Sequence, residues 1–408
     1  MDTDSDIVIV GGGLNGPALA IALAEAGVSV TIIDALPEQT FADAGFDGRS
    51  YALALSSTRM LQATGLWDGL EDNAQPMLDI KVTDGRAGEG PSPFFMHFDH
   101  AEIEEGPMGY MVEDRHLRPA LQQAINQAPA VTRINGVRVT DQLADATSIT
   151  VTLDDGRRIR ARLLVGCDGR GSQTAQRAGI GRTGWSYDQT ALVCAIRHEL
   201  PHNGVAHQFF MPPGPLAILP LTGNRASIVW SETTANAARI NAMSDADYLD
   251  VLRPRFGSFL GDIQLAGARY SYPLSLSLAN SMTAPRVALA GDAAHGVHPI
   301  AGQGLNAGFR DIAALAEVIT DARRRGEDIG SETTLAAYQT WRRFDNTTLA
   351  LATDTFNRLF SNDNPILRAT RDIGMGIVGK FPALRRGFIR EAAGLTGELP
   401  RLMKGRPL

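Results

Sequence analysis

Four apolar residues in a row, Ile7–Val10, end on a glycine, and the pattern then changes period. Leu19, Leu23 and Ala26 recur at helical spacing, and a second apolar run, "VSVTII", closes at Asp34. The order strand, helix, strand is therefore predicted for residues 7–34. A membrane span is the weaker reading, because residues 7–33 hold Asn15, Pro17, Glu25 and five glycines. After a polar loop that ends at Arg49, the spacing of Leu55, Leu61 and Leu66 predicts a helix. "VEDRHLRPALQQAI" (112–125) predicts another, with Leu117, Leu121 and Ile125 on one face. "TRINGVRVT", "SITVTLDDG" and "RRIRARLLVGCDG" read as three short strands, with Asp155-Gly156 as a hairpin turn. Residues 186–282 alternate apolar and polar in runs such as "TALVCAI", "AHQFFM" and "RASIVWS", the mark of an antiparallel sheet that Trp185 and Tyr187 begin. Residues 76–110 are irregular and rich in Pro, Phe and Gly. Near Arg286 the α/β pattern resumes with the strand "RVALAGDAA", followed by helices over 304–322 and 334–360.

The expected fold class is α/β. A Rossmann-like domain is built from residues 1–75, 110–185 and 284–360. A β-sheet domain, 76–109 and 186–283, is inserted in it, and 361–408 form a helical C-terminus.

The first turn carries chemistry. Gly11, Gly13 and Gly16 stand in G-x-G-x-x-G spacing around Leu14 and Asn15, and Pro17 suits the first turn of a helix. The glycines permit a tight turn and close approach to a pyrophosphate. The helix N-terminus offers free N–H groups, and Asp34, 18 residues past Gly16, can bind a ribose hydroxyl. NAD and FAD both satisfy this fingerprint.

A second stretch, "LAGDAAHGVHPIAGQGLNAGFRD" (289–311), bears on that choice. It puts Asp292 at a strand end and then a glycine loop, Gly302 and Gly304, into a new helix. A cofactor longer than one βαβ unit needs a second contact point. FAD has ribitol hydroxyls that a carboxylate accepts from, and a flavin edge that backbone N–H groups approach. His295 and His298 lie in the same stretch without helical spacing and without a third ligand nearby in sequence, so no metal is expected.

Composition narrows the partners. A net charge of −7, with no basic excess, argues against nucleic acid. Two cysteines, Cys167 and Cys194, suggest no disulfide framework and fit a reducing, cytoplasmic setting, with Cys167 expected in the core. "MDTDSDIVIV" lacks the features of a signal peptide. Residues 380–408 run against the average, carrying Lys380, Arg385, Arg386, Arg390, Arg401, Lys404 and Arg406 against only Glu391 and Glu398. Leu384, Phe388, Ala392 and Leu395 recur there at helical spacing. A basic amphipathic helix of this kind predicts a peripheral membrane contact; the competing expectation is a stripe packed on the α/β domain.

Three motifs together, "GGGLNG" (11–16), "CDGRGS" (167–172) and "GDAAH…HPIAGQGLNAG" (291–308), resemble the class A flavoprotein monooxygenases of the p-hydroxybenzoate hydroxylase type. Within them the chain is most similar to the ubiquinone-biosynthesis hydroxylases, through the full 291–311 stretch, "LPLTGNRASIVWS", "YQTWRRFDN" and "FIREAAGLTGELPRLMKG". The resemblance implies FAD as cofactor and NAD(P)H as co-substrate. It implies that Gly11, Gly13, Leu14, Asn15, Gly16 and Asp34 bind the ADP half, and that Arg49 and Arg115 contact the ribose–phosphate region. Asp168 would serve both FAD and NAD(P)H. Asp292 would bind ribitol, Gly302, Gly304, Leu305 and Asn306 would line the flavin, and Pro299 and His298 would sit near its reacting edge. In one departure, Ala175 stands where the family usually has Arg, with Arg170 and Arg177 nearby. The implied reaction is hydroxylation of a polyprenylated phenol in ubiquinone biosynthesis through a flavin C4a-hydroperoxide. No side chain need act as nucleophile, and the inserted sheet should offer an elongated apolar pocket. A lipid-delivery protein or a biosynthetic complex is the implied partner. A prenyl reductase or a non-catalytic flavin-binding subunit are rival readings. A halogenase is not favoured, because none of Trp67, Trp185, Trp230 and Trp341 lies in a W-x-W-x-I-P motif.

Overall fold

A computed structural model of the chain describes residues 3–38, 47–88, 90–298, 302–360 and 381–408. The chain begins β1 (Ser5–Val10), α1 (Asn15–Glu25), β2 (Val30–Asp34), β3 (Ser50–Ala54), α2 (Leu55–Ala63) and β4 (Gln75–Met77). It continues through β5 (Asp79–Arg86), β6 (Gly90–Asp99), β7 (Gly109–Glu113), α3 (Asp114–Gln127), β8 (Val131–Asn135), β9 (Val139–Ala144), β10 (Ile149–Leu153), β11 (Arg158–Gly166) and α4 (Gln173–Arg177). Next come β12 (Arg182–His198), β13 (Val205–Met211), β14 (Gly214–Leu221), β15 (Arg225–Thr233), α5 (Thr234–Asn241), α6 (Asp245–Phe256), β16 (Ile263–Leu265) and β17 (Tyr270–Ala279). The last elements are β18 (Thr283–Ala284), β19 (Val287–Leu289), β20 (His295–Gly296), α7 (Gln303–Arg324), α8 (Glu332–Phe360) and α9 (Pro382–Ala392).

One sheet runs β18-β19-β11-β1-β2-β8, with β10 and β9 extending from β11. β1 is parallel to both β2 and β11, and β11 is parallel to β19. Strands covered on both faces bury every side chain, which explains the unbroken run Ile7, Val8, Ile9, all without exposure. Four strands, not three, occupy residues 131–166, because "TRINGVRVT" bends at Gly136 (φ +74°) and splits. The turn at Asp155-Gly156 joins β10 to β11 in an antiparallel pair.

The second sheet runs β20-β17-β12-β15-β14-β13-β5-β6, with β16 beside β12. It corrects the reading of 76–110 as irregular: β5 and β6 form a hairpin there, and β5 pairs in parallel with β13. Proline and glycine masked the alternation. It also corrects the purely antiparallel reading of 186–282, which holds two helices. Both have start signals: Thr233 and Ser244 cap them by accepting from the N–H of Asn236 (3.4 Å) and Asp247 (3.2 Å). Tyr248, Leu252 and Phe256 then bury one face of α6 at spacing four. A small third sheet, β3-β7-β4, is made of strands that flank the β5–β6 hairpin in sequence, and β7 takes residues 109–113, so α3 starts at Asp114 rather than at 112.

Alternation along the second sheet sorts its faces. Leu192, Cys194, Ile196, Ile218, Ile228 and Trp230 pack behind it on α6. The residues between them, such as Val193, Leu219 and Val229, line a cavity on the other face. Among the described residues no helix is long and apolar enough to cross a membrane.

Candidate active site

Two glycines of the first motif are packing requirements. A Cβ on Gly11 (φ +114°) would lie 2.3 Å from the Cys167 carbonyl oxygen, and one on Gly16 would lie 2.0 Å from that of Gly11. A Cβ on Gly13 would meet no atom of the described residues within 4 Å. No described side chain caps the N-terminus of α1, which leaves its N–H groups open to a ligand. Asp34 closes β2, accepting from the N–H of Gly12 and, at 2.7 Å, from that of Leu36. Asn15 joins this motif to the second one: a Cβ on Gly291 or Gly308 would come within 2.2 or 2.7 Å of its side-chain amide. Its Oδ1 is shielded and has no partner among the described residues.

The second motif hangs on Asp311, a residue of α7 that the sequence reading gave no role. Its buried carboxylate accepts from Gly291 N–H (3.0 Å), Arg342 Nε (2.9 Å) and Asn346 Nδ2 (3.1 Å), and pairs with His295 Nε2 (2.5 Å). Burial pushes this carboxyl upward, but the charges and hydrogen bonds of His295 and Arg342 prevail and hold it at about 2. The bond to Gly291 fixes the turn that carries Asp292. Arg182 holds the same turn, donating to the carbonyls of Asp292 (3.3 Å) and Ala293. Asp292 itself is partly exposed, 3.3 Å from Arg170 Nε. Asn306 ties the start of α7 to β3 and α2: Oδ1 accepts from Ala54 N–H and Ser57 Oγ, both at 2.8 Å, and Nδ2 donates to Ala52 O at 2.8 Å.

His298 is fully buried, edge-on to Tyr187 with ring centroids 5.2 Å apart. Burial, and then the charge of Arg170, push its imidazole down to about 4, so it is neutral at pH 7. Pro299 lies outside the described residues. Asp168 accepts from Ser172 Oγ (2.6 Å), Thr174 N–H (2.9 Å) and Thr174 Oγ1 (3.0 Å), which folds its own loop. Arg49 is held by Asp47 (2.7 Å) and Asp114 (3.3 Å) at the cavity. Arg115 instead binds the buried Glu113 at 2.7 Å and does not line the cavity. Of the two arginines near Ala175, Arg170 lines the cavity, whereas Arg177 turns away to Gln142 and Val139. Cys167 is held protonated by burial.

The cavity measures about 1570 Å³. Leu14, Asn15, Arg49, Arg170, Asp292 and Gly302–Asn306 form one end, and the face of the second sheet forms a largely apolar wall. The lining suits an FAD. Among the described residues, two helix N-termini, those of α1 and α7, lack side-chain caps, and Gly304 leaves open space where a side chain would stand. Asn15 Oδ1 and Ser50 Oγ are shielded and unpartnered among the described residues.

Comparison with known proteins agrees. The family described as FAD binding domain matches residues 4–347. The chain belongs to this family. It is 46% identical to ubiquinone hydroxylase UbiL of Rhodospirillum rubrum, over all of this chain and 94% of that protein. It is 36% identical to 3-demethoxyubiquinol 3-hydroxylase of Escherichia coli, over 96% of this chain and 99% of that one. The fold is that of p-nitrophenol 4-monooxygenase PnpA from Pseudomonas putida, with a TM-score of 0.80 at 21% identity over 98% and 100% of the chains. As a member of the family the protein takes FAD as its cofactor. Arg182, Asp311 and Arg342 were missed in sequence. "FRD" and "YQTWRRFDN" carried two of them, but nothing in the spacing told that they meet.

Proposed function

We propose that the protein is an FAD-dependent, NAD(P)H-consuming monooxygenase that hydroxylates the ring of a prenylated phenol in ubiquinone biosynthesis. The observation that carries this reading is the single cavity in which the Gly302–Asn306 loop and an apolar sheet wall face one another. The names of the relatives supply the substrate class. When bound, FAD supplies the electron transfer and the oxygen activation. The chain supplies the rest. Leu14, Asn15, Asp34 and the α1 N-terminus hold the ADP half, with Arg49 beside them. Asp292 accepts from ribitol hydroxyls, the N–H groups at Gly302–Asn306 face the flavin, and Arg170 supplies positive charge next to Asp292. The wall orients the ring and excludes water. With ¹⁸O₂ as oxidant and NAD(P)H as reductant, the product ring should carry one labelled oxygen. Label that enters only from water overturns the reading. NAD(P)H oxidation that saturates the tail without adding oxygen favours a reductase, and no NAD(P)H oxidation favours a non-catalytic subunit.

Asp292→Ala should fold normally and lose flavin on dialysis, with affinity down about 10-fold for one lost charged hydrogen bond. The absorbance ratio of flavin to protein measures this, and an unchanged ratio refutes the ribitol role.

The reading extends to a peripheral membrane contact through α9. Phe381, Leu384 and Phe388 are 56%, 51% and 41% exposed, and Phe388 also lines the cavity. Arg385 and Arg390 pair with Glu102 (2.6 Å) and Glu105 (3.0 Å), so exposed apolar side chains, more than net charge, carry this contact. Lys380 lies outside the described residues. The full chain should float with phospholipid vesicles, and Phe381→Ser/Leu384→Ser/Phe388→Ser should reduce the floated fraction several-fold. Equal flotation of the two excludes α9 as the anchor.

A further inference from the structure

Helix α8 is fastened at two places along the cavity. Trp341 Nε1 donates to the Glu398 carbonyl (3.0 Å), and Asn357 Nδ2 donates to Gln189 Oε1 (3.0 Å). Between these anchors one side of the helix lines the cavity. Its polar residues come first. Arg342, Asp345 and Asn346 spend their groups on one another and on Asp311. Beyond them the described lining of α8 is Thr348, Leu349, Ala352, Thr353 and Leu359. The Thr353 hydroxyl donates back to the Leu349 carbonyl (2.9 Å), so it makes little demand on an occupant. From Leu349 to Leu359 this stripe runs about 15 Å. It starts beside the proposed flavin end, where Asn346 meets Asp311, and it finishes at Leu359, which is 37% exposed.

The exposed parts of the lining differ in chemistry. At the cofactor end they are charged: Arg49, Arg170 and Asp292. Among the described residues, the exposed Phe and Leu side chains that line the cavity, Phe344, Leu359 and Phe388, all belong to α8 and α9. A phenol whose ring lies against the Gly302–Asn306 loop must send its tail toward one of these regions. A hydrocarbon chain gains by leaving water for apolar surface and gains nothing beside charges that keep their water.

We infer that the stripe Leu349–Leu359 of α8 is the binding site for the substrate's prenyl tail, which leaves the cavity on its α8–α9 side. The inference rests on the proposed function for its substrate class. The stripe recognises hydrocarbon by burial alone, so it fixes how many five-carbon units are held inside and leaves any further units outside.

The test uses the full-length, FAD-loaded protein and three variants. Ala352→Glu sets a carboxylate on the stripe at an exposed helical position, where Glu is nearly as good a helix former as Ala. Leu351→Glu sets the same charge on the neighbouring residue, which is exposed and does not line the cavity. Ala352→Trp replaces charge by bulk and repeats the measurement if Ala352→Glu loses FAD. The probes are phenol and its 2-prenyl, 2-geranyl and 2-farnesyl derivatives, titrated against the flavin absorbance. In the wild type, affinity should rise about 10-fold for each unit that the stripe buries and then level off. Leu351→Glu should keep this gain. Ala352→Glu should lose most of it, so that the ratio of farnesyl to unsubstituted phenol affinity falls at least 10-fold. A wild type whose affinity does not rise with tail length overturns the inference. So does an Ala352→Glu or Ala352→Trp protein that keeps the gain, the result expected if the tail follows the sheet wall instead, and so does equal loss in Leu351→Glu. A wild type that shows the gain, loses it in Ala352→Glu, and yet incorporates no oxygen from O₂ keeps the tail site and refutes the monooxygenase reading instead.

Discussion

Replacing Asp311 with alanine should destabilise the protein by about 3–5 kcal/mol, the usual cost of breaking a buried ion pair. The substitution strands Arg342, which is 1% exposed, and leaves the Gly291 N–H and His295 without their shared acceptor. Arg342 keeps Asp345 (2.5 Å) and Asn346 (3.0 Å), which limits the loss without removing it. Against a typical domain stability of about 5–15 kcal/mol the effect is large. Urea midpoints of the wild type and variant measure it. The pH dependence is fixed in sign. Asp311 titrates at about 2, below its ordinary 3.8, so its stabilisation is present above pH 4 and is lost as pH falls toward 2. The difference between wild type and variant should therefore shrink as pH falls below 4. A second readout separates position from stability. Because Gly291 N–H fixes the turn that carries Asp292, the folded variant should release FAD faster than the wild type under native conditions. An Asp311→Ala protein with wild-type midpoint and flavin content would mean that Arg342 and the 291–293 turn are held by their other contacts alone.

Asp311 also marks where the sequence stops being legible. The first motif was readable because its parts are local: strand, turn, helix and acid follow one another within residues 5–34, and each has its own period or glycine requirement. The second motif was readable as strand, loop and helix for the same reason, but its strand stops at Leu289 rather than at Asp292, which lies in a turn, and β20 stands before α7. What joins them is not local. Asn15 touches the Gly291 and Gly308 backbone, Asn306 reaches back to Ala52 and Ala54, and Arg182 reaches forward to the carbonyls at 292 and 293. None of these pairs has a spacing that periodicity could reveal.

The inserted sheet shows the same division. Alternation in β12 to β15 was visible as runs of apolar and polar residues, though it could not say which face meets the cavity. The hairpin of β5 and β6 was not visible. Its residues are diluted by glycine and proline, and its partner β13 lies more than a hundred residues away. Helices α5 and α6 had caps and spacing of their own but were read through the strand pattern around them. Arg115 has a setting that its sequence neighbours did not announce. It follows the buried Glu113, which pairs with it and with Arg225 (2.6 Å), while Arg49 and Arg170 line the cavity.

Substitution of Gly304 should move folding and cofactor binding in opposite directions. Gly304 is the second residue of α7, its φ lies outside the left-handed region, and a Cβ there meets no atom of the described residues within 4 Å. For the apoprotein a side chain at this position therefore costs nothing in packing, and the helix gains, by up to about 1 kcal/mol for Gly→Ala in a helix interior and less in the first turn. Gly304→Ala apoprotein should melt at the wild-type temperature or slightly above it. The open space faces the cavity end proposed to hold the flavin, so a side chain takes the cofactor's place. Gly304→Leu should weaken FAD binding by about 100-fold, or about 2.7 kcal/mol. Gly16→Ala makes the contrast. Its Cβ would lie 2.0 Å from the Gly11 carbonyl oxygen, so both the melting temperature of the apoprotein and the FAD content should fall. Titration of each apoprotein with FAD, followed by melting with and without saturating cofactor, reads both quantities. FAD should raise the melting temperature of the wild type and much less that of Gly304→Leu at the same concentration, because the stabilisation depends on ligand concentration relative to Kd. A Gly304→Leu protein that binds FAD with wild-type affinity would show that the glycine loop at the start of α7 does not face the cofactor. The flavin end of the cavity would then have to be sought elsewhere along its lining.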